Sequence, residues 1–219
     1  MTTTATQPDT QDMVIVHRVF RREFGLLPEL IDKVADGNVP RAKLLAEHCA
    51  DLAFGLHHHH QSEDELLWPL LHARAATQQD LIERMEEQHR AMTAALERVE
   101  ALLPVWAADA RTADRDELSA ALRQVKAILD LHLDEEESKI LPLVREHLTV
   151  EQWDALGKRG AEALEDKAKR LLFLGMILED ASPREQADFL SRLPIPARIL
   201  WRALGRRSYA TYVTRVRGT

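Results

Sequence analysis

The sequence contains two copies of one pattern: a histidine, a glutamate four residues later, and then an apolar run that ends in Pro-Leu. The six matching positions, related by a shift of 73 residues, are His59, Glu63 and Pro69 in the first copy and His132, Glu136 and Pro142 in the second. Residues four apart lie about one turn apart on the same face of an α-helix. Each copy therefore predicts a helix that presents an imidazole and a carboxylate in one direction, as a metal-ligand pair requires.

The rest of the chain favours helix as well. It has 219 residues but only 8 Gly and 5% aromatic residues, and its hydrophobic (45%) and charged (30%) contents are typical of a globular protein. Apolar periodicity predicts four long helices, over about residues 11–36, 41–73, 78–107 and 116–146. Long amphipathic helices with short connections predict an all-α protein, an antiparallel up-down-up-down four-helix bundle. We therefore divide the chain into a disordered leader (1–10), the bundle (11–148) and a helical C-terminal extension with an Arg-rich end (149–219).

The positions of the turns bring further histidines to the height of the repeated motif. Two residues at the same height of an antiparallel hairpin are equally far from its turn. The midpoint of His17 and His59 is position 38, inside the predicted turn at 37–40. His89 has a midpoint near 75 with the first motif and near 111–112 with the second, and both lie in predicted breaks. Three turns thus place six residues in one layer of the bundle: His17, His59, Glu63, His89, His132 and Glu136.

Four imidazoles and two carboxylates suit a dinuclear metal site. A mixed nitrogen and oxygen donor set fits iron or manganese, and zinc binds the same imidazoles. Each glutamate has two oxygens, so Glu63 and Glu136 can bridge two ions. Six protein ligands do not saturate two six-coordinate ions, which leaves positions for a small exogenous ligand.

The run of four histidines at 57–60 leaves the ligand from this stretch open. The repeat selects His59, whereas His60 is spaced four residues from Asp64 and is a possible additional ligand. Asp64 is also a candidate for orienting a ligand imidazole. The remaining histidines outside the run, His48, His72 and His147, fall off the layer and are expected to be solvated.

These motifs resemble the hemerythrin-like family, the HHE cation-binding domains. The family pattern is a His on helix one, His-x-x-x-Glu on helix two, a His on helix three and His-x-x-x-Glu/Asp on helix four, and the six residues of the predicted layer match it. The resemblance covers about residues 10–150. It implies two iron ions bridged by carboxylates and a solvent oxygen, which react with dioxygen, peroxide or nitric oxide. Oxygen carriers of the family have a second His on helix three, where this sequence has Thr93, so solvent or His60 would fill that position.

The resemblance implies an oxidase, a catalase-like peroxide-removing oxidoreductase or a sensor, and the vacancy beside Thr93 is the predicted binding position of the small ligand. Alternative functions are a regulatory module that responds to metal or redox state, iron storage, and oxygen carriage. A ferritin-like di-iron site is a rival fold, but it requires two Glu-x-x-His motifs, and Glu86-x-x-His89 is the only one near the layer.

The end of the chain differs in charge from the rest. Residues 191–219 contain seven Arg and no acidic residue, whereas the preceding 190 carry 22 basic against 36 acidic residues, a net charge of about −14. This end either covers the acidic bundle or meets an acidic partner or a membrane surface. Nucleic acid is not expected, because no DNA-reading motif is present. The single Cys49, and the lack of a signal sequence or a long apolar run, predict a cytoplasmic protein. The sequence does not predict an oligomeric state.

Overall fold

The computed structural model describes residues 7–162, 164 and 166–218. Throughout this part of the chain the regular structure is helical, as predicted, and contains no strand. The chain divides into two compact units, each described here by itself. The first comprises residues 7–10 and 20–162, and the second comprises residues 11–19 with the described residues from 164 onward.

Four long helices carry five of the six predicted ligands, all but Glu136. Their bounds are α1 (Gln11–Asp32), α2 (Val39–Leu66), α4 (Gln79–Asp109) and α5 (Thr112–Glu135). Three shorter helices of the first unit are α3 (Trp68–Arg74), α6 (Leu141–His147) and α7 (Val150–Glu162). The second unit adds α8 (Lys167–Glu179), α9 (Pro183–Arg192), α10 (Ile195–Leu200) and α11 (Arg206–Arg217).

The core of the first unit is built from the apolar faces of its long helices. α2 packs against α4, and α4 packs against α5. The residues of α1 in this unit contact α2 and α5: the Phe20 ring lies 5.4 Å from the His59 ring, and Ser119 Oγ donates to the carbonyl of Pro28. Fully buried side chains of this core include Phe24, Leu27, Ile31, Leu45, Leu52, Leu56, Ile82, Met85, Val99, Leu122, Val125 and Leu129.

Two turns of the first unit meet at one end of it. Gly37, in the left-handed region with φ 73°, ends the α1–α2 connection, and its N–H donates to the carbonyl of Ala110 at 3.0 Å. Asp36 in the same connection accepts from the N–H of Thr112, the first residue of α5, at 2.7 Å. The α1–α2 and α4–α5 turns are therefore joined, while Asn38 caps α2 by accepting from the N–H of Arg41.

Both copies of the repeat depart from regular helix after their glutamate. α2 ends at Leu66, and α3 begins with Pro69 in its first turn. In the second copy, residues Glu136–Ile140 form a π-helical turn, in which the N–H of Leu141 bonds to the carbonyl of Glu136. Proline causes both changes because it lacks an N–H and its ring clashes with the carbonyl four residues earlier. The sequence predicted one helix over about residues 41–73, and the structure instead has two helices with a break between them just before Pro69.

Polar contacts fix residues of both the predicted C-terminal extension and the predicted leader. Ser182 and Glu185 make reciprocal side chain to backbone hydrogen bonds at the beginning of α9. Within the second unit, Glu185 pairs with Arg18 at 3.1 Å. Of the predicted disordered leader, residues 1–6 lie outside the described part of the chain, and Thr10 is buried and accepts a hydrogen bond from Arg145 at 2.6 Å.

Candidate metal centre

Three histidines and one glutamate of the first unit form a buried group of possible metal ligands. They are His60 and Glu63 on α2, His89 on α4 and His132 on α5, and each offers one ligand atom within 4.8 Å of those of the others. The His60 ring stacks on that of His89, with centroids 4.2 Å apart, and meets that of His132 at 5.0 Å, nearly edge-on. The three imidazoles therefore converge on one point from three helices.

A second group lies next to the first and shares a residue with it. Ligand atoms of His59, Glu63 and Glu136 also lie within 4.8 Å of one another. Glu63 thus belongs to both groups. The carboxylate of Glu136 comes from the first residue of the π-helical turn, an irregularity that proteins frequently place at functional sites. His17 is fully buried on α1, in the stretch that belongs to the second unit, so its ligation stays a prediction.

The carboxylate of Glu63 is buried without a compensating proton donor. The side chain is 0% exposed, and among the described residues neither of its oxygens meets the geometry of a hydrogen bond. Its oxygens lie 3.4 Å from Nε2 of His59 and 3.5 Å from Nε2 of His89. Burial, reinforced by the charge of Glu136, raises the pKa of Glu63 well above its ordinary value. Because a buried charge requires a partner, a cation between these atoms would keep the carboxylate ionised, and the donor set fits a metal.

Hydrogen bonds orient the ring of His89 toward Glu63. Nδ1 of His89 lies 2.6 Å from Oδ1 of Asp64, which also accepts a hydrogen bond from Nε1 of Trp68 at 2.9 Å. Because a carboxylate only accepts, Nδ1 of His89 carries the proton, and Nε2 presents its lone pair to the Glu63 side. A histidine that ligates a metal is commonly held in this way by a carboxylate on its other nitrogen. The predicted contact of Asp64 with a ligand imidazole is therefore present.

A longer chain of polar groups orients His132. Nε2 of Gln88 donates to Glu135 at 2.8 Å, which leaves Oε1 of the same amide 3.1 Å from Nδ1 of His132. Nδ1 is then the donor, and Nε2 lies 3.6 Å from Oε2 of Glu136. Hydrogen bonds from Arg84 above all, and from Lys139, lower the pKa of Glu135 to about 2 despite its partial burial. A firmly ionised Glu135 thus fixes the amide of Gln88, and the amide fixes the tautomer of His132.

A cleft of about 330 Å³ lies beside His89 on α4, the one residue of the first group that lines it. Its lining residues are Asp64, Glu86, His89, Arg90, Thr93, Ala94 and Glu97. Thr93 lies one turn after His89 and faces this cleft, where the oxygen carriers of the resembled family have a further histidine. A small molecule in the cleft would therefore reach the edge of the His89 ring.

The remaining histidines of the 57–60 run lie outside both groups. His57 is exposed, and the His58 ring packs on that of Phe54 at 4.2 Å. One expectation was wrong: His48 is not solvated but buried, with Nε2 3.3 Å from Glu23 on α1. Burial raises the pKa of Glu23, but its bond to His48 and the charge of Arg22 bring that pKa down to about 2. This pair lies in the core between two helices and adds no ligand to either group.

Sequence reasoning did not identify Gln88 or Glu135 as part of the site. Gln88 contacts His132 from the neighbouring helix α4, so no sequence spacing links the two. Glu135 lies three residues after His132, but a carboxylate at that spacing is common on helix surfaces. The four-residue spacing between Glu135 and Lys139 was the only local signal, and such pairs are common on solvated helices.

Taken together, the helices and the two groups define a helical metal-binding protein with a buried site of histidine and glutamate ligands. The family Hemerythrin HHE cation binding domain matches residues 9–144. The chain belongs to this family. No curated protein and no solved structure matches the chain. None of the helices in the described ranges combines the length and the apolar content that a membrane span requires.

Proposed function

We propose that the chain holds two metal ions, most suitably iron, and that Glu63 bridges them. The observation that carries this proposal is the membership of Glu63 in both groups of possible ligands. In the proposed assignment His60, His89 and His132 bind one ion, and His17, His59 and Glu136 bind the other together with the shared Glu63. Zinc or manganese could replace iron with the same donors.

Helix geometry supports His17 as a ligand of the second ion. Phe20 lies three residues after His17 on the uninterrupted α1, and its ring packs 5.4 Å from the ring of His59. Residues three apart share a helix face. The face of α1 that carries Phe20 toward His59 is thus the face on which His17 lies, as the proposed antiparallel up-down-up-down bundle requires.

We propose that His60 supplies the imidazole that the family pattern places at Thr93. The resembled oxygen carriers place a further histidine on helix three, and in this chain the third imidazole of the first group comes from α2 instead. Consecutive residues of a helix point about 100° apart, so His59 and His60 can serve two neighbouring ions. The proposed site therefore has the same number of imidazoles that the family resemblance leads one to expect, from a different set of helices.

A pair of iron ions bound here would supply redox chemistry toward dioxygen, peroxide or nitric oxide. The chain itself contributes buried ligand candidates, two imidazoles in fixed tautomers, and a cleft beside Thr93 and His89 in which a small molecule could bind. We propose an oxidase or peroxide-removing oxidoreductase, or a sensor of one of these small ligands. The open cleft favours a reactive site over a closed structural one.

Metal analysis of protein from iron-supplemented cells tests the proposal. We expect two ions per chain, an absorption spectrum of oxidised iron, and a change of that spectrum on addition of peroxide or nitric oxide. His60→Ala should reduce the content toward one tightly bound ion, whereas His57→Ala, which removes an exposed neighbour, should leave two. A chain that binds no metal after loading, or a His60→Ala variant that retains two ions with unchanged affinity, would contradict the assignment.

A further inference from the structure

The second unit contains a long helical segment, residues 195–217, of which one face is packed. Trp201 is buried against Leu174 and Leu178 of α8. Gly205 lies so close to the Trp201 ring that a Cβ would collide with it, and Gly175 of α8 is in the same relation to the Tyr209 ring. These contacts determine which face of the segment points inward, and hence which face is left in solvent.

The opposite face exposes large apolar side chains at its beginning. Ile195 and Ile199 are each 62% exposed, and Leu204 is 58% exposed. Ile195 and Ile199 are one α-helical turn apart, and Ile199 and Leu204 are spaced by five residues across the π-helical turn Trp201–Gly205. Because that turn winds more slowly than an α-helix, it keeps Leu204 close to the line of the two isoleucines. These three residues are called the apolar stripe.

Arginines beside the apolar stripe have no acidic partner in the part of the chain that the structure describes. Two arginines of the chain end are paired within the second unit, Arg192 with Asp12 at 3.1 Å and Arg217 with Glu179 at 2.6 Å. Four others make no ion pair with any of the described residues: Arg198, Arg202, Arg206 and Arg207. No acidic residue occurs after position 190, so the cations next to the stripe are not neutralised by their own segment.

We propose that this face docks on the surface of an anionic lipid membrane. Apolar side chains next to unpaired arginines on one side of a helix match the boundary between phosphate headgroups and acyl chains. Nucleic acid would engage the arginines but would leave the isoleucines and the leucine in water. The chain as a whole carries a charge of −7, so attraction to an anionic surface must come from this local patch. The docking is peripheral and reversible, and it is independent of the metal centre.

Vesicle co-sedimentation of the full-length protein tests the proposal. We expect binding to vesicles with 30% phosphatidylglycerol and little binding to pure phosphatidylcholine. Each arginine near an anionic surface adds roughly fivefold to the affinity, so Arg202→Gln with Arg206→Gln should weaken binding about 25-fold at low salt. Ile199→Ser with Leu204→Ser should weaken binding at least tenfold at every salt concentration.

Matched variants remove the same groups elsewhere. Leu131→Ser changes a leucine that is equally exposed on the first unit, and Arg98→Gln with Lys158→Gln removes two other exposed charges. These variants should bind as the unaltered protein does. Because Cys49 is buried, a fluorophore can be attached selectively to Leu204→Cys, and its emission should shift to the blue with anionic vesicles, whereas a fluorophore on Leu131→Cys should not respond.

Several results would overturn the proposal. Equal binding to neutral and anionic vesicles would contradict it. Vesicle binding that neither the stripe variants nor the arginine variants reduce would contradict it as well. Salt-sensitive binding to a 20-base-pair duplex that depends on the arginines and not on the stripe would point to nucleic acid instead. Self-association that Ile199→Ser with Leu204→Ser abolishes, without vesicle binding, would identify the face as an interface between two copies of the chain.

Discussion

The exchange Glu63→Gln should have opposite effects on the metal-free and the metal-loaded protein. Glutamine keeps the shape of the side chain and removes its charge. In the metal-free protein the buried carboxylate of Glu63 makes no hydrogen bond among the described residues, and leaving such a group unsatisfied costs roughly 1–3 kcal/mol. The metal-free variant should therefore be as stable as the unaltered chain or more stable, by up to about that amount at pH 7.

The raised pKa of Glu63 gives the metal-free protein a defined dependence on pH. The unfolded chain loses this proton near the ordinary value of 4.5, whereas the folded chain retains it to higher pH. The folded state then binds more protons, so the free energy of unfolding falls as the pH rises above about 4.5. Glutamine does not titrate, so the metal-free Glu63→Gln variant should lack this contribution to the slope.

With metal the sign reverses, because the variant lacks the proposed bridging ligand. At a free metal concentration of 100 times the dissociation constant, one bound ion stabilises the folded state by about 2.7 kcal/mol. Loss of an outer hydrogen-bond partner alone weakens metal binding roughly 10–100-fold. If loss of the Glu63 carboxylate weakens it at least 100-fold, one bound ion stabilises the folded variant by about 0.4 kcal/mol or less at the same free metal concentration. The difference of about 2.3 kcal/mol per ion corresponds to roughly 5–9 °C in the unfolding temperature of a chain this long.

Thermal unfolding of metal-free and ferrous-loaded protein under anaerobic conditions, from pH 5 to 8, measures both effects. Glu65→Gln is the matched control, because Glu65 is an exposed carboxylate two residues away that bonds to Gln61 and Arg159. It should leave the metal-induced shift unchanged. Equal metal-induced shifts for Glu63→Gln and the unaltered chain would refute the role of Glu63 as a ligand.

Three further predictions concern other groups of the first unit. Asp64→Ala and Gln88→Ala should each weaken metal affinity roughly 10–100-fold in chelator competition, because each fixes the tautomer of a ligand imidazole; unchanged affinity in both would disprove this. Glu23→Gln should remove up to about 3 kcal/mol of stability at pH 7, because the pKa of Glu23 lies near 2 beside His48. In urea unfolding at a series of pH values, the unaltered chain should lose this stability as the pH falls from about 4.5 to 2, and the variant should not. Burial raises the pKa of Cys49 to about 12, so thiol reagents at pH 8 should modify it only in the unfolded chain, and rapid modification of the folded protein would contradict its burial.

The parts of the structure that depend on helix periodicity could be predicted from the sequence. The four-residue spacing of His132 and Glu136 sets both side chains on one face whatever the surroundings, and the turns around 38, 75 and 111 are encoded by short-range signals. The place of His60 in the first group, beside His59 in the second, could not be predicted in this way. Neighbours on a helix point in directions about 100° apart, and which direction meets the layer depends on how α2 is rotated against α4, a result of packing along the whole helix.

The two copies of the repeat are alike in sequence but differ in backbone, and this difference has a physical basis. After Glu63 the helix is interrupted at Leu67, and a new helix, α3, begins with Pro69 in its first turn. After Glu136 the chain instead absorbs the effect of Pro142 by a π-helical turn, in which the carbonyl of Glu136 accepts from a residue five positions ahead. A local pattern predicts that a proline disturbs the helix. It does not predict whether the neighbouring helices allow a break or a π-helical turn. The approximate twofold repeat in sequence therefore produces two unlike groups of possible ligands, to which α2 contributes two adjacent histidines and α5 contributes one.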